Sequence, residues 1–507
     1  MKKWTAKNTI MRILCMLLVC SMVGVMVSCA SPDTTENPDQ TVTEPDTETD
    51  TDTDPETPPE IELVPDVPVT DMNQKNIHIF LQQWGTYMPL AITDVFSEGL
   101  TSDGINDAAY RRNMEMEEKF NCTITITENL EYGFNGYNEV MRTVSAGDDV
   151  YTLTLFRVQQ YNTLCLSNSF FEISDIPHID LSKPWWDSGY AEAAGVVGRQ
   201  YGVVSDITMN SYLLTGSVYF NKDMINDYSL ESPYKLVHEG EWTWDTMFTM
   251  AETAAEDLNG DEEYTNEDRY GITYINDSPE VLLAAAGVTF AELDKDGIPQ
   301  VTLDSTLNMD KIMYLFELLQ DTTVSYNCHK RSAKPAEDEA GMLLRGNTLF
   351  CLGGLYYAPE MRAMDQDFGI IPYPKYDEAQ EDYLIPSIPI ALSYASVPTS
   401  NTDMENTGIF MEYYAYLGRR DIMPELYEKL LLGRVARDEE SAAMLDIIFN
   451  NRIFDTGMIF DFGGLRTNLQ TMYRDMNGNF ASSFAGNASK VQSNIDELVE
   501  LFYALEN

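Results

Sequence analysis

Positive charge is scarce in this chain. Of 507 residues, 32 are Lys or Arg against 82 Asp or Glu, which leaves a formal net charge of −50. A surface so acidic repels a phosphate backbone, and nucleic acid is excluded as a partner on that ground. Histidine is scarcer still: His78, His178, His238 and His329 are dispersed, no HExxH zinc helix is written, and no GxSxG nucleophile elbow occurs. Cysteine offers no disulfide framework. Outside the first 29 residues only Cys122, Cys165, Cys328 and Cys351 remain, far apart and in apolar contexts such as LFCLGG, so buried free thiols are expected, with a single bridge as the alternative. No ATPase signature is present, and long apolar runs are missing apart from one near the start.

That run, LCMLLVCSMVGVMVSC at 14–29, comes after Lys2, Lys3, Lys7 and Arg12, the pattern of a secretory leader (1–28). Arg12 cuts the run below the roughly 20 apolar residues that a membrane span needs. Its last four residues, Met26, Val27, Ser28 and Cys29, resemble the lipobox of bacterial lipoproteins, with Met26 where an aliphatic residue is usual. The resemblance implies cleavage before Cys29 and a lipid on its thiol, whose two acyl chains suffice for stable anchoring at the outer face of the membrane. From 30 to 71 the chain carries fourteen Asp or Glu and no Lys or Arg, with threonine and proline between them. Such a segment repels itself and has little to bury, so residues 29–71 read as an anchored, disordered spacer.

The chain from 72 onward is long enough for two domains with their own cores. NIHIFL at 76–81 alternates like a strand, 108–120 has helical spacing, and CTITIT at 122–127 is a second strand, a βαβ opening. Ligands on open α/β sheets gather at the carboxyl ends of strands, which makes Trp84 a candidate contact, with core packing as the alternative. Asp148, Asp149 and Tyr151 precede a strand at 152–156. Trp185, Trp186 and Asp187 carry the same aromatic and acidic chemistry, and there the alternative is a tryptophan pair pinning a crossing segment. Trp242 and Trp244 read as structural, stapling a helix start capped at Thr243 or Asp245.

The ordered set VSAGDDVY (144–151), IDLSKPWWD (179–187), VYFNKD (218–223), GEWTWD (240–245), DLNGD (257–261) and DFGIIPYPKYD (367–377) resembles the extracellular solute-binding proteins of family 1. These are the lipoprotein receptors that feed sugars to ABC transporters. The resemblance covers nearly all of the chain after Asp71. It implies an α/β, two-lobed periplasmic-binding-protein type II fold of the maltose-binding kind, with hinge-linked lobes and extra C-terminal helices. Mapped from the motifs, the first lobe is 72–210 plus 340–400, and the second is 211–339 plus 401–507. It further implies a carbohydrate ligand, permease subunits of an ABC importer as partners, and a monomer held to the membrane through its lipid alone.

Sugar rings pack their apolar faces on aromatic planes and offer hydroxyls to carboxylates and amides. GNTLFCLGGLYY at 346–357 fits that need, because Gly353 and Gly354 permit close backbone approach and Tyr356 and Tyr357 come next. The family often has tryptophan here, where this chain has Leu355 and tyrosines. In DTGMIFDFGG at 455–464, Phe460 and Asp461 either reach the cleft or form a turn. The binding candidates are therefore Trp84, Asp149, Tyr151, Trp185, Trp186, Tyr356, Tyr357, Phe460 and Asp461.

Asp257, Asn259, Asp261, Glu263 and Asp268 approximate positions 1, 3, 5, 7 and 12 of a calcium loop. Glu262 stands where that loop needs glycine, so a Ca2+ site and a plain polar loop both remain open; no cofactor is otherwise required. Two rival classes stand beside the receptor. A secreted glycan-active enzyme would use a carboxylate pair, which 82 acids supply without meaning. A surface glycan-binding lipoprotein would lack transport coupling.

Overall fold

The computed structural model describes residues 64–82, 94–130, 135–328, 339–361, 364–388, 392–432 and 439–505. The alternating NIHIFL becomes the strand Lys75–Gln82, with Ile77, Ile79, Phe80 and Leu81 buried. It runs parallel to Cys122–Asn129, Ile77 facing Ile124 and Ile79 facing Ile126. The helix between them, Gly104–Phe120, starts where the Asp103 carboxylate accepts the Asn106 N–H at 3.2 Å and ends at Asn121 in a left-handed conformation (φ 48°). Leu153–Arg157 adds in parallel on the other side, and Ser393–Ser396 closes that edge antiparallel, giving the order 393–396, 153–157, 75–82, 122–129.

A second sheet orders Phe368–Ile371, Gly216–Asn221, Thr348–Gly354, Tyr270–Tyr274 and Ser325–Asn327. Gly216–Asn221 runs antiparallel to both its neighbours, and the others run together. The segment 340–400 was expected in the first lobe, but its strand Thr348–Gly354 sits in the middle of this second sheet. The physical reason is visible in its composition: TLFCLGG is buried at every position, and a strand apolar on both faces needs a neighbour on each side and cover above and below. Among the described strands of that segment, only Ser393–Ser396 returns to the first sheet.

A second difference concerns the segment 401–507, expected in the second lobe. Its first helix, Met404–Leu417, is buried along eleven of its fourteen residues and packs with Ile77, Ile79, Leu81, Leu153 and Leu155 of the first sheet. Further helices come after it, among them Met423–Leu432, Glu439–Asn450, Leu465–Arg474 and Phe480–Ala504.

The lobes are joined by neighbouring crossovers. Residues 209–215 lead into Gly216–Asn221, and residues from 385 lead back toward Ser393. They are stitched together: Ile388 N–H donates to Leu214 O at 2.8 Å, and Ser393 N–H to Asn210 Oδ1 at 2.7 Å. A third connection, Arg452–Ile453, pairs in parallel with Ile385–Pro386. The four described cysteines are buried, and none is in a disulfide. No described helix is long and apolar enough to cross a membrane.

Candidate functional site

Both sheets turn the same end toward the crossovers. Gly216 pairs with Gly354, the last residue of its strand, and Ser393 pairs with Arg157, the last residue of its own. The carboxyl ends of the two sheets therefore flank the connecting segments, the position where open α/β sheets hold ligands. Polar side chains buried at these ends are Gln82, Arg157 and Gln160 on the first sheet and Asn327, Asp277 and Glu280 on the second. Burying such groups costs free energy unless each is hydrogen-bonded, so their concentration here is not a packing requirement.

Tyr356 and Tyr357 come directly after Gly354 and Leu355, their ring centroids 4.2 Å apart, Tyr356 buried and Tyr357 half-buried. The rings fold back over the strand end, and only glycine permits this. A Cβ on Gly353 would lie 2.7 Å from the Tyr357 ring, and one on Gly354 would lie 2.8 Å from the Tyr356 ring.

A buried charge cluster forms on the segment that comes after the neighbouring strand Tyr270–Tyr274. Glu280, in the first turn of Ser278–Ala285, stands 3.3 Å from Arg466, which is 3.8 Å from Asp461, while the Gln470 amide donates to Asp277. Burial drives the Glu280 carboxyl up to about 8; Arg466 pulls it down, and Asp277 and Asp461 push it further up. For Arg466 burial acts downward, but the three carboxylates outweigh it and hold the guanidinium above its usual value.

The sequence candidates separate clearly. Tyr356 and Tyr357 lie just past the carboxyl end of Thr348–Gly354. Trp84 and Cys29 fall outside the described residues. Asp149 and Tyr151 precede the strand Leu153–Arg157, so they sit at its amino end, about 16 Å of strand away from the crossovers. There Asp149 accepts from the Thr402 N–H at 3.2 Å and its hydroxyl at 2.5 Å. Tyr151 packs against His78 and Phe80 and donates to Glu139 at 3.1 Å; burial, reinforced by Glu139, pushes its hydroxyl up to about 12.

Trp185 and Trp186 are buried, and both indole N–H groups donate to one carboxylate, that of Glu412, at 3.1 and 2.8 Å. The pair thus pins the segment 179–187 to the helix Met404–Leu417, the alternative that their sequence context left open. The Asp180 N–H also donates to Glu412, at 3.2 Å, and burial raises the Glu412 carboxyl against these donors. Glu412→Gln, which can no longer accept from both indoles, should cost about 1–3 kcal/mol in urea unfolding without changing the slope of the transition.

Phe460 is buried, stacked on Phe462 at 5.0 Å and edge-on to Tyr161 at 5.1 Å. Asp461 adopts φ 46° and accepts from the Arg466 and Thr467 N–H groups at 2.8 and 3.1 Å, capping the helix Leu465–Arg474. In the acidic loop, Asp257 accepts from the Gly260 and Glu262 amides, Asn259 from Asp261, Asp261 from Glu263, and Asp268 from Leu258 and Thr265. Among the described residues no three acidic, His or Cys side chains are gathered as metal ligands.

Sequence reasoning passed over Arg157, Gln160, Asp277, Glu280, Arg466 and Gln470. For Arg157 a signal existed, a charge placed directly after the apolar strand LTLF. The others become neighbours only through the fold.

No protein-family model and no curated protein matches this sequence. Solved structures do. The galacto-N-biose/lacto-N-biose I-binding protein of the ABC transporter from Bifidobacterium longum, in complex with lacto-N-biose, is 14% identical, covers 84% of this chain and 98% of its own, and has a TM-score of 0.56. An ABC transporter associated binding protein from B. animalis subsp. lactis in complex with β-1,6-galactobiose gives 13%, 85%, 98% and 0.55 for the same measures. An ABC substrate-binding protein from Listeria monocytogenes in complex with cycloalternan gives 13%, 85%, 99% and 0.53. The fold is therefore that of the two-lobed, maltose-binding type of ABC solute-binding protein, with added C-terminal helices.

Proposed function

We propose that this protein is a solute-binding receptor that captures a carbohydrate between its lobes and delivers it to the permease subunits of an ABC importer. Cys29 is the lipid attachment point on the outer face of the cell membrane, and the acidic stretch up to residue 71 is the spacer that lets the receptor reach its ligand. The observation that carries this reading is the meeting of two sheets' carboxyl ends around shared crossovers, with tyrosines and buried amide, carboxylate and guanidinium groups there. That chemistry suits a polyol ring with one apolar face. The solved relatives, bound to lacto-N-biose, β-1,6-galactobiose and cycloalternan, support the same ligand class.

A receptor needs reversible binding and no bond cleavage, so no cofactor enters the reading. The test is a melting-temperature screen over mono- and oligosaccharides, with amino acids and peptides as controls. A saccharide present at about 100 times its Kd should stabilise the protein by about 2.7 kcal/mol and be recovered chemically unchanged. Tyr356→Ala should weaken that binding at least about tenfold. Recovery of cleaved sugar would move the protein to the glycan-active enzymes.

A further inference from the structure

The helix Phe480–Ala504 has one end on each lobe. At its start Phe480 packs edge-on to Phe316 of the second lobe, ring centroids 5.3 Å apart, and near its finish Phe502 packs on Tyr201 of the first lobe at 5.2 Å. About 33 Å of helix separates the two contacts, at 1.5 Å per residue. Along the way Asn494 Oδ1 accepts from the Asn162 amide of the first lobe at 2.7 Å. An unbroken helix of this length bends only gently, so its two ends keep one separation.

The residues leading into this helix repeat the arrangement over a shorter span. Asp455 accepts the Phe290 N–H of the second lobe at 2.8 Å, while its neighbour Thr456 donates from Oγ1 to Ala193 O of the first lobe, also at 2.8 Å. Phe460 adds its edge-on contact with Tyr161 of the first lobe. The intervening helix Leu465–Arg474 is rooted in the second lobe, where Arg466 meets Glu280 and the Tyr473 hydroxyl donates to Ile312 O at 2.7 Å.

The helices Met423–Leu432 and Glu439–Asn450 form another link. Lys429 pairs with Asp103 of the first lobe at 2.7 Å, the Ser441 and Tyr234 hydroxyls meet at 3.0 Å on the second, and the Tyr427 hydroxyl joins the two helices by donating to Asp446 at 3.1 Å. Its Lys429–Asp103 pair is partly exposed, and such pairs hold weakly. The contacts of Phe460 and Phe502 are of another kind, because Tyr161, Tyr201, Phe460 and Phe502 are all buried. Parting the lobes there would carry four aromatic rings into water, which disfavours the open arrangement.

We propose that the helix Phe480–Ala504 is a strut that holds the two lobes at one fixed angle before any ligand arrives. A sugar then meets walls already in place, and none of its binding free energy goes into closing the lobes. The strut goes beyond the receptor reading and rests on contacts within the chain alone.

The test is the distribution of interlobe distances in the ligand-free protein, measured by double electron–electron resonance on the full chain from residue 29. Spin labels go on Met114→Cys in the first lobe and Leu307→Cys in the second, both exposed positions. Cys29→Ser, with the burial of Cys122, Cys165, Cys328 and Cys351, confines labelling to those two sites. With the strut intact the distances should form one peak, as narrow as that of Met114→Cys with Val150→Cys inside the first lobe. Ala488→Pro breaks the helix at an exposed position between its two ends, and Phe502→Ala removes its first-lobe anchor. Together they should at least double the width of the peak or add a second one; if that pair does not fold, Phe502→Ala alone is read in the same way. A broad or two-peaked distribution with the strut intact, or a peak just as narrow without it, would overturn the strut. Neither result touches the receptor reading, since no ligand is present, and a protein that bound no saccharide would lose that reading and keep the strut.

Discussion

Arg466→Ala should lower the unfolding free energy by about 3–5 kcal/mol, the largest loss expected from any single side chain near the site. Arg466 is 3% exposed and Glu280 fully buried, and they face each other at 3.3 Å. Removing the cation leaves Glu280 protonated below about pH 8 but strips the neighbouring Asp277 and Asp461 carboxylates of the guanidinium that offsets them. The double variant Glu280→Gln with Arg466→Met buries no charge and should recover most of the loss, which separates the electrostatic cost from lost packing.

The same pair sets a pH dependence. Glu280 has a folded value of about 8 against an ordinary 4.5, so between those limits the native state holds a proton that the unfolded chain releases. The unfolded state then binds fewer protons, and stability falls as pH rises through that window. Asp455, raised to about 7 by burial, and Asp94 and Asp206, each raised to about 6 by burial, act in the same direction over the lower part of it. Urea midpoints measured from pH 5 to pH 8 should decline, and Glu280→Gln should flatten the decline in its upper part. A midpoint that climbs over this range would show that Glu280 is ionised in the native protein.

The second large effect is steric. Gly408 lies in the helix Met404–Leu417 against the backbone of Pro177, and a Cβ there would run into the Pro177 carbonyl oxygen. Helix propensity alone favours replacing a mid-helix glycine by up to about 1 kcal/mol. Backbone cannot yield as a side chain can, so overlap wins, and Gly408→Val should cost about 3 kcal/mol or more by forcing the helix off the first sheet. Gly486 is the control. It is in the helix Phe480–Ala504 with nothing within 4 Å of an added Cβ, and Gly486→Ala should stabilise by about 0.5–1 kcal/mol. Denaturant titration of both variants checks the sign as well as the size.

Much of the fold was legible because periodicity reports local burial. The alternation of NIHIFL and the helical spacing up to Phe120 placed a βαβ unit where one stands. Thr243 caps its helix as its position suggested, its hydroxyl accepting the Thr246 N–H at 3.3 Å. The glycines of 346–357 announced a tight approach, and the two tyrosine rings fill it. Partners across long separations were not legible. Thr348–Gly354 announced its burial on both faces but not which sheet would bury it, since its neighbours Gly216–Asn221 and Tyr270–Tyr274 come from elsewhere in the chain. Trp185 and Trp186 announced a special site, and the carboxylate that explains them lies 227 and 226 residues away.

By itself the sequence determined the composition-driven features of this protein: a formal net charge of −50, four well-separated cysteines after residue 29, an apolar run ending at Cys29, an acidic stretch from 30 to 71 without Lys or Arg, and a succession of strands and helices. These depend on properties of neighbouring residues, which a linear chain displays directly. The tertiary structure decided which strand joins which sheet, that the paired tryptophans serve the helix Met404–Leu417, that Asp149 and Tyr151 stand at the amino end of their strand, and that Glu280 and Arg466 meet beside the carboxyl ends. Those outcomes depend on contacts between distant segments, fixed only when burial of every apolar face and pairing of every buried polar group are satisfied together.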